Sequence, residues 1–394
     1  MSGGLDYLYK IFRGLREIFR HSTVDRVGMH RCRRAGAALK RTDGGVAVSY
    51  GTLRYPLPPA TRLEVVSGGT AKLTYLAEEF PHSFPACSLM YLVNSVFSRP
   101  MLEVVRAARR KRIPIVLNQN GVYSPALYEF DWRKANALLA ELYTSAQYVI
   151  YQSRFSKTCA ERYLRPIDAP WTILYNPVDT NHFIPVQKPP ISSGPLLISI
   201  ASRTNRFYRI EMSLSALGIL RKTMPGARLI IPGYDPGRFG DRRAIQSICK
   251  CARDKGIPLG AVELLPPFSK QEAPAILNRA HILLHISHND PSPSFVSEAM
   301  ACGLPAAYLA NGGTPELMSD AAGIGIPSET NMERIDPPDP ACIAEAVLRI
   351  VEKWDDYSAA ARRHACAQFK LEDFLTAHRA IFNQFGKSSM EEAV

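Results

Sequence analysis

Short apolar runs alternate with amphipathic segments along most of the chain. Each run is four or five residues long, as in buried strands, and the segments between them have the three- and four-residue spacing of helices. The pattern predicts strands at residues 63–66, 89–93, 113–117, 148–152, 171–175, 196–200, 228–231, 262–265, 282–286 and 305–309. Because strand and helix alternate, these strands predict parallel sheets covered by helices.

The predicted helices fall between these strands and at the end of the chain. They cover residues 71–80, 101–112, 156–163, 211–220, 270–279, 294–301, 340–353, 354–368 and 371–385. A segment rich in Pro and Ser at 186–194 separates two strand–helix series, and a chain of 394 residues is long enough for two cores. We therefore predict an α/β protein with two domains, at residues 61–185 and 193–369.

Two predicted turns mark one edge of the second sheet. They lie at residues 290–294 and 311–314, each directly after a strand, where ligands bind in parallel sheets. Free amides at the start of the helix 294–301 suit a phosphate. The carboxylates of Asp290 and Glu298 suit the hydroxyls of a ribose or a sugar. Together these groups suggest a site for a sugar nucleotide.

Residues 1–60 form a predicted N-terminal extension with a strong positive charge. Residues 5–20 have a helical period, basic residues continue to position 41, and residues 44–59 are predicted to be a linker or loop. The helix could lie in an anionic membrane interface, or it could pack on the body with a solvated charged face. Both interpretations stay open.

The charge and the cysteines narrow the class of protein. A net charge of +12 favours acidic partners such as nucleotides or anionic lipids, but we find no nucleic-acid-binding motif. The eight cysteines contain no C-x-x-C pair, so neither a zinc site nor a disulfide framework is indicated. Without a signal peptide or an apolar run long enough to span a bilayer, we expect a cytoplasmic protein, with the membrane option placing it at the inner face.

The stretch that begins at Asp290 resembles the donor site of family-4 glycosyltransferases, which are retaining enzymes with the GT-B fold. The family signature is an acidic residue, seven residues, a Glu in Glu-Ala-Met-Ala-x-Gly-x-Pro, and then Gly-Gly-x-x-Glu. Asp290 and Glu298 have this spacing, residues 298–305 read EAMACGLP, and Gly312, Gly313 and Glu316 supply the last motif.

Further segments extend the resemblance over roughly residues 62–385. Residues 176–185 resemble the Asn-Gly-Val-Asp-x-x-x-Phe-x-Pro segment that closes the first domain of the family, with Pro177 in place of the glycine. The sequence also departs from the family, because Pro291 and Pro293 stand where glycines are common. Each proline removes an amide donor, so the sugar contacts are expected to differ.

The resemblance implies two Rossmann-like domains facing across a cleft, with a last helix, here 370–388, crossing back to the first domain. The implied reaction is transfer of a sugar from a nucleotide sugar to a hydroxyl of a glycan or lipid-linked sugar. In this family the acceptor is thought to attack from the face that the nucleotide leaves, with the departing phosphate taking the proton. Neither a cofactor nor a bound metal is then expected.

The resemblance also implies roles for single residues. Arg203 and Arg209, with Arg206 as a rival for the second place, are expected to hold the diphosphate with the amides of Phe295 and Val296. Asp290 would hold the sugar and Glu298 the ribose, and these two acids with Arg203 and Arg209 are the expected catalytic set. The full expected donor site is Gly68, Gly69, Arg203, Arg209, Phe268, Asp290, Ser294, Phe295, Val296, Glu298, Gly312 and Gly313.

The acceptor side contains the main departure from the family. Asn94 and Asn120 stand where many relatives have histidines, and Tyr123 is a third acceptor-side candidate. An asparagine can hydrogen-bond a hydroxyl but cannot transfer a proton near neutral pH. Two alternatives to a transferase therefore stay open: a GT-B protein that binds a sugar nucleotide without transferring the sugar, and a GT-B epimerase.

Overall fold

The computed structural model of the protein describes residues 27–51, 68–128, 131–191, 194–200, 207–233 and 242–386. Within these ranges the chain forms two large parallel sheets, each in its own α/β domain, and one short parallel pair. The predicted α/β class with parallel sheets is confirmed. The predicted helix at 5–20 and the predicted strand at 63–66 lie outside the described residues.

The first domain is built on a five-stranded sheet. In chain order the strands of this domain are β1 (Lys40–Arg41), β2 (Val48–Ser49), β3 (Ala86–Cys87), β4 (Leu89–Val93), β5 (Ile115–Gln119), β6 (Tyr148–Tyr151) and β7 (Trp171–Ile173). The sheet order is β2-β4-β5-β6-β7, with every pair parallel, and β1 and β3 form a separate parallel pair. Its helices are α1 (residues 27–38), α2 (Gly68–Glu79), α3 (Leu102–Arg110), α4 (Trp132–Tyr143) and α5 (Arg154–Tyr163).

The second domain is built on a six-stranded parallel sheet. Its strands are β8 (Leu196–Ile198), β9 (Arg228–Ile231), β10 (Val262–Leu264), β11 (Ile282–His285), β12 (Ala306–Leu309) and β13 (Gly323–Ile326). The strand order is β10-β9-β8-β11-β12-β13. Its helices are α6 (Tyr208–Leu220), α7 (Arg242–Asp254), α8 (Ala273–Leu277), α9 (Ser294–Ala301), α10 (Thr314–Leu317), α11 (Pro340–Glu352) and α12 (Trp354–Gln368). Strands β11 and β12 are buried at every position, as expected when helices cover both faces.

The last described helix, α13 (Leu371–Gly386), packs on the first domain. The buried ring of Phe382 lies 5.1 Å from that of Phe80 and 5.6 Å from that of Tyr91. On the same helix, Nε2 of the buried His378 lies 3.1 Å from the Tyr91 hydroxyl. The chain thus returns from the second domain to the first through an apolar contact with one buried polar pair.

The elements differ from prediction where tertiary contacts decide their limits. The segment 44–59 was predicted to be loop, but Val48–Ser49 within it pairs with β4 as the edge strand of the first sheet. That strand lies on the extension side of the domain boundary predicted at residue 60. Helices α4 and α7 were not predicted. Helix α5 begins two residues earlier than predicted because the Ser153 hydroxyl caps it, accepting from the Ser156 amide at 3.0 Å.

Candidate functional site

The β11–α9 turn, residues 286–293, lies at the carboxyl edge of the second sheet and contains Asp290. One carboxylate oxygen of Asp290, Oδ2, accepts from the Ser287 hydroxyl at 3.3 Å, and the other, Oδ1, accepts from the Ser292 amide at 3.3 Å. The side chain keeps 24% of its surface exposed. The structure therefore orients this carboxylate from within the turn and leaves part of it accessible at the sheet edge predicted to bind ligand.

Arg209 reaches the same place from the first turn of α6. Its Nη2 donates to the Ser287 hydroxyl at 2.5 Å, and only 5% of the residue is exposed. Arg209 and Asp290 thus share Ser287 as a common neighbour. The residue predicted to bind the diphosphate, Arg209, and the residue predicted to bind the sugar, Asp290, therefore lie side by side. Arg203 and Arg206 lie outside the described residues.

His285 was missed at the sequence level. It is the last residue of β11, it is buried, and its Nε2 lies 3.8 Å from Oδ2 of Asp290. Burial lowers its pKa to about 4; the Asp290 charge opposes this effect and the Arg209 charge adds to it. The imidazole is therefore neutral at pH 7 and contributes a dipole beside Asp290 rather than a second cation.

Glu298 lies one turn inside α9 and is 3% exposed. Its Oε1 contacts the ammonium of Lys270, which precedes α8. Burial lowers the pKa of Lys270 to about 8, whereas the adjacent carboxylate favours the charged form. Lys270 was also missed, because it was predicted to begin a helix; the helix begins at Ala273 instead.

The start of α9 uses one of the two predicted amides internally. The Val296 amide donates to the Pro293 carbonyl at 3.0 Å, so it is engaged within the turn. The ring of Phe295 lies 6.2 Å from that of Phe268, and both rings are half-buried. Ser294 is the first residue of this helix and is half-buried.

Gly312 and Gly313 hold the β11–α9 turn in place. The Gly313 amide donates to the Asp290 carbonyl at 2.8 Å, and the Gly312 amide donates to the Thr330 hydroxyl at 3.2 Å. A Cβ on Gly313 would lie 2.1 Å from the Pro291 carbonyl oxygen, and Gly312 has a φ of +64°. The backbone approach requires glycine at both places. Both amides therefore bond within the protein, whereas the sequence predicted that these glycines would contact the donor.

The first domain places a buried lysine at the carboxyl end of its own sheet. Lys72 of α2 donates to the amide oxygens of Asn118, Asn120 and Gln152 at 2.9, 3.0 and 3.1 Å. Only 2% of the residue is exposed, and burial lowers its pKa to about 7. Gly68 and Gly69, the predicted donor-binding pair, are the first two residues of this helix.

The predicted acceptor-side residues bond within the protein. Asn94 accepts from the Asn120 amide at 2.9 Å and donates to the Gly121 carbonyl at 2.7 Å. Asn120 also donates from its side chain to the Ser95 hydroxyl at 2.7 Å. The half-buried Tyr123 packs edge-on against Tyr128, with ring centres 4.7 Å apart. The hydrogen bonds of the two asparagines therefore stabilise the conformation of the loop after β5.

Lys72 was not assigned from the sequence. It comes three residues after Gly69, inside a predicted helix. Within the described ranges, no group of three or more His, Cys, Asp or Glu residues is arranged to hold a metal ion, and no helix is long and apolar enough to cross a membrane.

Comparisons with known proteins agree with this architecture. Residues 184–366 match the family model described as "Glycosyl transferases group 1". HepE from Anabaena, solved with UDP-glucose, has 18% identity and a TM-score of 0.60, covering 80% of this chain and 81% of its own. Sucrose-phosphate synthase from Thermosynechococcus elongatus has 16% identity and a TM-score of 0.58, with coverages of 80% and 76%. No curated protein sequence matches the chain.

The likeness to these solved structures shows the GT-B fold, and the match to the group 1 model covers just under half of the chain. The group 1 match lies over the second domain, at residues 184–366. Arg209, Asp290 and Glu298 all lie within this matched region.

Proposed function

We propose that the protein is a retaining glycosyltransferase of family 4, transferring a sugar to a hydroxyl of a glycan or a lipid-linked sugar. The observation that carries the proposal is the contiguous group of Arg209, Ser287 and Asp290 at the carboxyl edge of the second sheet. Glu298 follows in the next helix, buried and held by Lys270. A cation, two carboxylates and a helix start at one edge match the needs of a nucleotide sugar.

In the proposed reaction the bond between the anomeric carbon and the phosphate oxygen breaks while a bond to the acceptor oxygen forms on the same face. The acceptor proton passes to the departing phosphate. Arg209 and Arg203 would stabilise the charge that develops on the diphosphate, Asp290 would orient the sugar, and Glu298 would orient the ribose. No step requires a metal or a protein nucleophile.

A thermal-shift panel of UDP-, GDP-, ADP- and TDP-sugars tests the donor site, because a ligand that binds the folded state raises the melting temperature. HepE is described in complexes with UDP and with UDP-glucose, which makes the uridine compounds the first to test. Glu298→Ala and Arg203→Ala should each abolish the shift. Glu345→Ala, on the exposed face of α11, is the control. A full shift in both site variants would refute this placement of the donor.

A second candidate is a protein that binds a sugar nucleotide without transferring the sugar. Its support is that Asn94 and Asn120, which replace histidines of the family, cannot transfer a proton and are bonded within the protein. Release of nucleoside diphosphate together with a glycosylated product would exclude this candidate. A product formed from the sugar nucleotide without any acceptor would instead indicate an epimerase.

We further propose that the basic N-terminal region binds the anionic inner face of a membrane, as a cytoplasmic enzyme with a lipid-linked acceptor would. Its described residues include exposed cations on and after α1, namely Arg31, Arg33, Arg34, Lys40 and Arg41. Co-sedimentation with vesicles containing anionic phospholipid should be strong at low salt and weaken as salt screens the charges. Equal binding to neutral vesicles would contradict the proposal, and no binding to either kind of vesicle would favour a helix packed on the body.

A further inference from the structure

The two domains meet where a carboxylate of the second domain binds the start of a helix of the first. The Glu316 side chain accepts from the Arg154 amide at 2.7 Å through Oε2 and from the Phe155 amide at 2.7 Å through Oε1. These amides open α5, so they have no acceptor within the helix. The contact is charge-assisted and lies at the positive end of the helix dipole.

The same part of the first domain also binds two consecutive carbonyl groups of the β11–α9 turn. The Ser153 hydroxyl donates to the Pro291 carbonyl at 2.6 Å. The Asn176 side chain donates to the Ser292 carbonyl at 2.9 Å and to its hydroxyl at 3.1 Å. Ser153, Asn176 and Ser292 are all buried, so water does not substitute readily for these bonds.

Gly313 joins these contacts into one unit. A Cβ at Gly313 would lie 2.1 Å from the Pro291 carbonyl oxygen and 2.9 Å from the Ser153 hydroxyl, so the three groups are packed without spare room. Gly313 also donates to the Asp290 carbonyl, and Glu316 follows it by three residues. The backbone from Asp290 to Ser292 is thus held by Gly313 and by the first domain.

We propose that Ser153, Asn176 and Glu316 are positioning residues through which contact between the domains sets the geometry of Asp290. They do not touch the donor; they hold the turn whose carboxylate orients the transferred sugar. When the domains separate, the turn loses its bonds to Ser153 and Asn176, and the site for the sugar is no longer in place. This inference rests on the proposed transferase function and adds the contacts that link domain contact to sugar orientation.

The test is Glu316→Gln, in which a neutral amide replaces the acceptor of two backbone amides. The matched control is Glu333→Gln, because Glu333 is also a carboxylate of the second domain that faces the first, 3.7 Å from Arg162 and mostly exposed. A second variant is Ser153→Ala, which loses the bond to Pro291 and also the cap of α5. Circular dichroism establishes that each variant folds.

We expect Glu316→Gln and Ser153→Ala to increase the radius of gyration in X-ray scattering. We expect them to lower kcat by about 10- to 100-fold, the range for losing one or two charged or buried hydrogen bonds. The melting shift given by UDP should stay near that of wild type, because the proposed nucleotide contacts lie in the second domain. Glu333→Gln should resemble wild type in all three measurements.

An unchanged radius of gyration in both Glu316→Gln and Ser153→Ala would overturn the inference. A decrease in kcat no larger than that of Glu333→Gln would also overturn it. If the wild-type protein transfers no sugar, the proposed function fails, but the scattering comparison still decides whether these residues hold the domains together. The failure of the inference and that of the proposed function are therefore distinguishable.

Discussion

Replacing Lys72 by methionine should change how the stability of the first domain depends on pH. The ammonium of Lys72 is bound by three neutral amide oxygens at 2.9 to 3.1 Å, and no carboxylate is among these partners. Burial lowers its pKa from 10.5 to about 7. His378 of α13 lies near enough that the Lys72 charge adds to the effect of burial, which lowers the pKa of His378 to about 4.

The size and the sign of the effect follow from these pKa values. One pKa unit corresponds to about 1.4 kcal/mol, so burying the charged form of Lys72 costs about 5 kcal/mol. The folded protein releases the proton near pH 7, whereas the unfolded chain holds it to about pH 10.5. Between these values the unfolded state binds more protons, so the free energy of unfolding rises with pH. The cost is fully present below pH 7 and disappears towards pH 10.5.

The assay is urea unfolding at pH 7, 8 and 9. It is followed by the fluorescence of Trp132 and Trp171 in a Trp354→Phe background, so that it reports the first domain. The difference in unfolding free energy between wild type and Lys72→Met should rise by about 2 kcal/mol from pH 7 to pH 9. The three oxygens left without a donor in the variant lower its stability by an amount that does not depend on pH. Tyrosines and cysteines that titrate in this range are common to both proteins and cancel.

The control is Lys134→Met, because that side chain is 87% exposed and pairs with Asp131, so its difference from wild type should stay flat with pH. A Lys72→Met difference that is equally flat would refute the reasoning. Lys72 would then keep its proton in the folded state at pH 9, and the three amide oxygens would suffice to stabilise a buried ammonium.

Two further substitutions have expected costs. Lys270→Met leaves the buried Glu298 carboxylate without its cation and should cost about 3–5 kcal/mol, lowering the melting temperature in calorimetry, whereas Arg279→Met in the exposed pair with Glu263 should change it little. Phe382→Ala removes a fully buried ring between α13 and the first sheet and should also cost about 3–5 kcal/mol in the same measurement. A loss below 1 kcal/mol would show that the helix contributes little to that domain.

Local sequence patterns predicted the limits of strands and helices well where residues close together in the sequence set those limits. Strand Arg228–Ile231 and helices Ser294–Ala301 and Trp354–Gln368 have the predicted limits, because apolar periodicity and a terminal glycine or proline act over a few residues. Strand β5 was predicted two residues too early. Its polar end, Asn118 and Gln119, continues the sheet because it pairs with β6, and this pairing is invisible to a local pattern.

The candidate site likewise has some features that depend on neighbouring residues and others that depend on residues distant in sequence. The spacing of Asp290 and Glu298 on one turn and one helix is local, so the sequence predicted that both would lie at one edge. Their partners are distant in sequence: Lys270 is 28 residues from Glu298, and Ser153 is 138 residues from Pro291. No period or motif reports such pairs.

The sequence by itself therefore determined the α/β class with parallel sheets and the limits of several strands and helices, because short-range periodicity and turn chemistry govern these features. Tertiary structure alone decided that Lys270 neutralises Glu298, that a lysine is buried among amides at the end of β5, and that the first domain holds the turn containing Asp290. The reason is physical. Desolvation, charge pairing and backbone contact depend on which surfaces meet, and the chain brings those surfaces together only when it is folded.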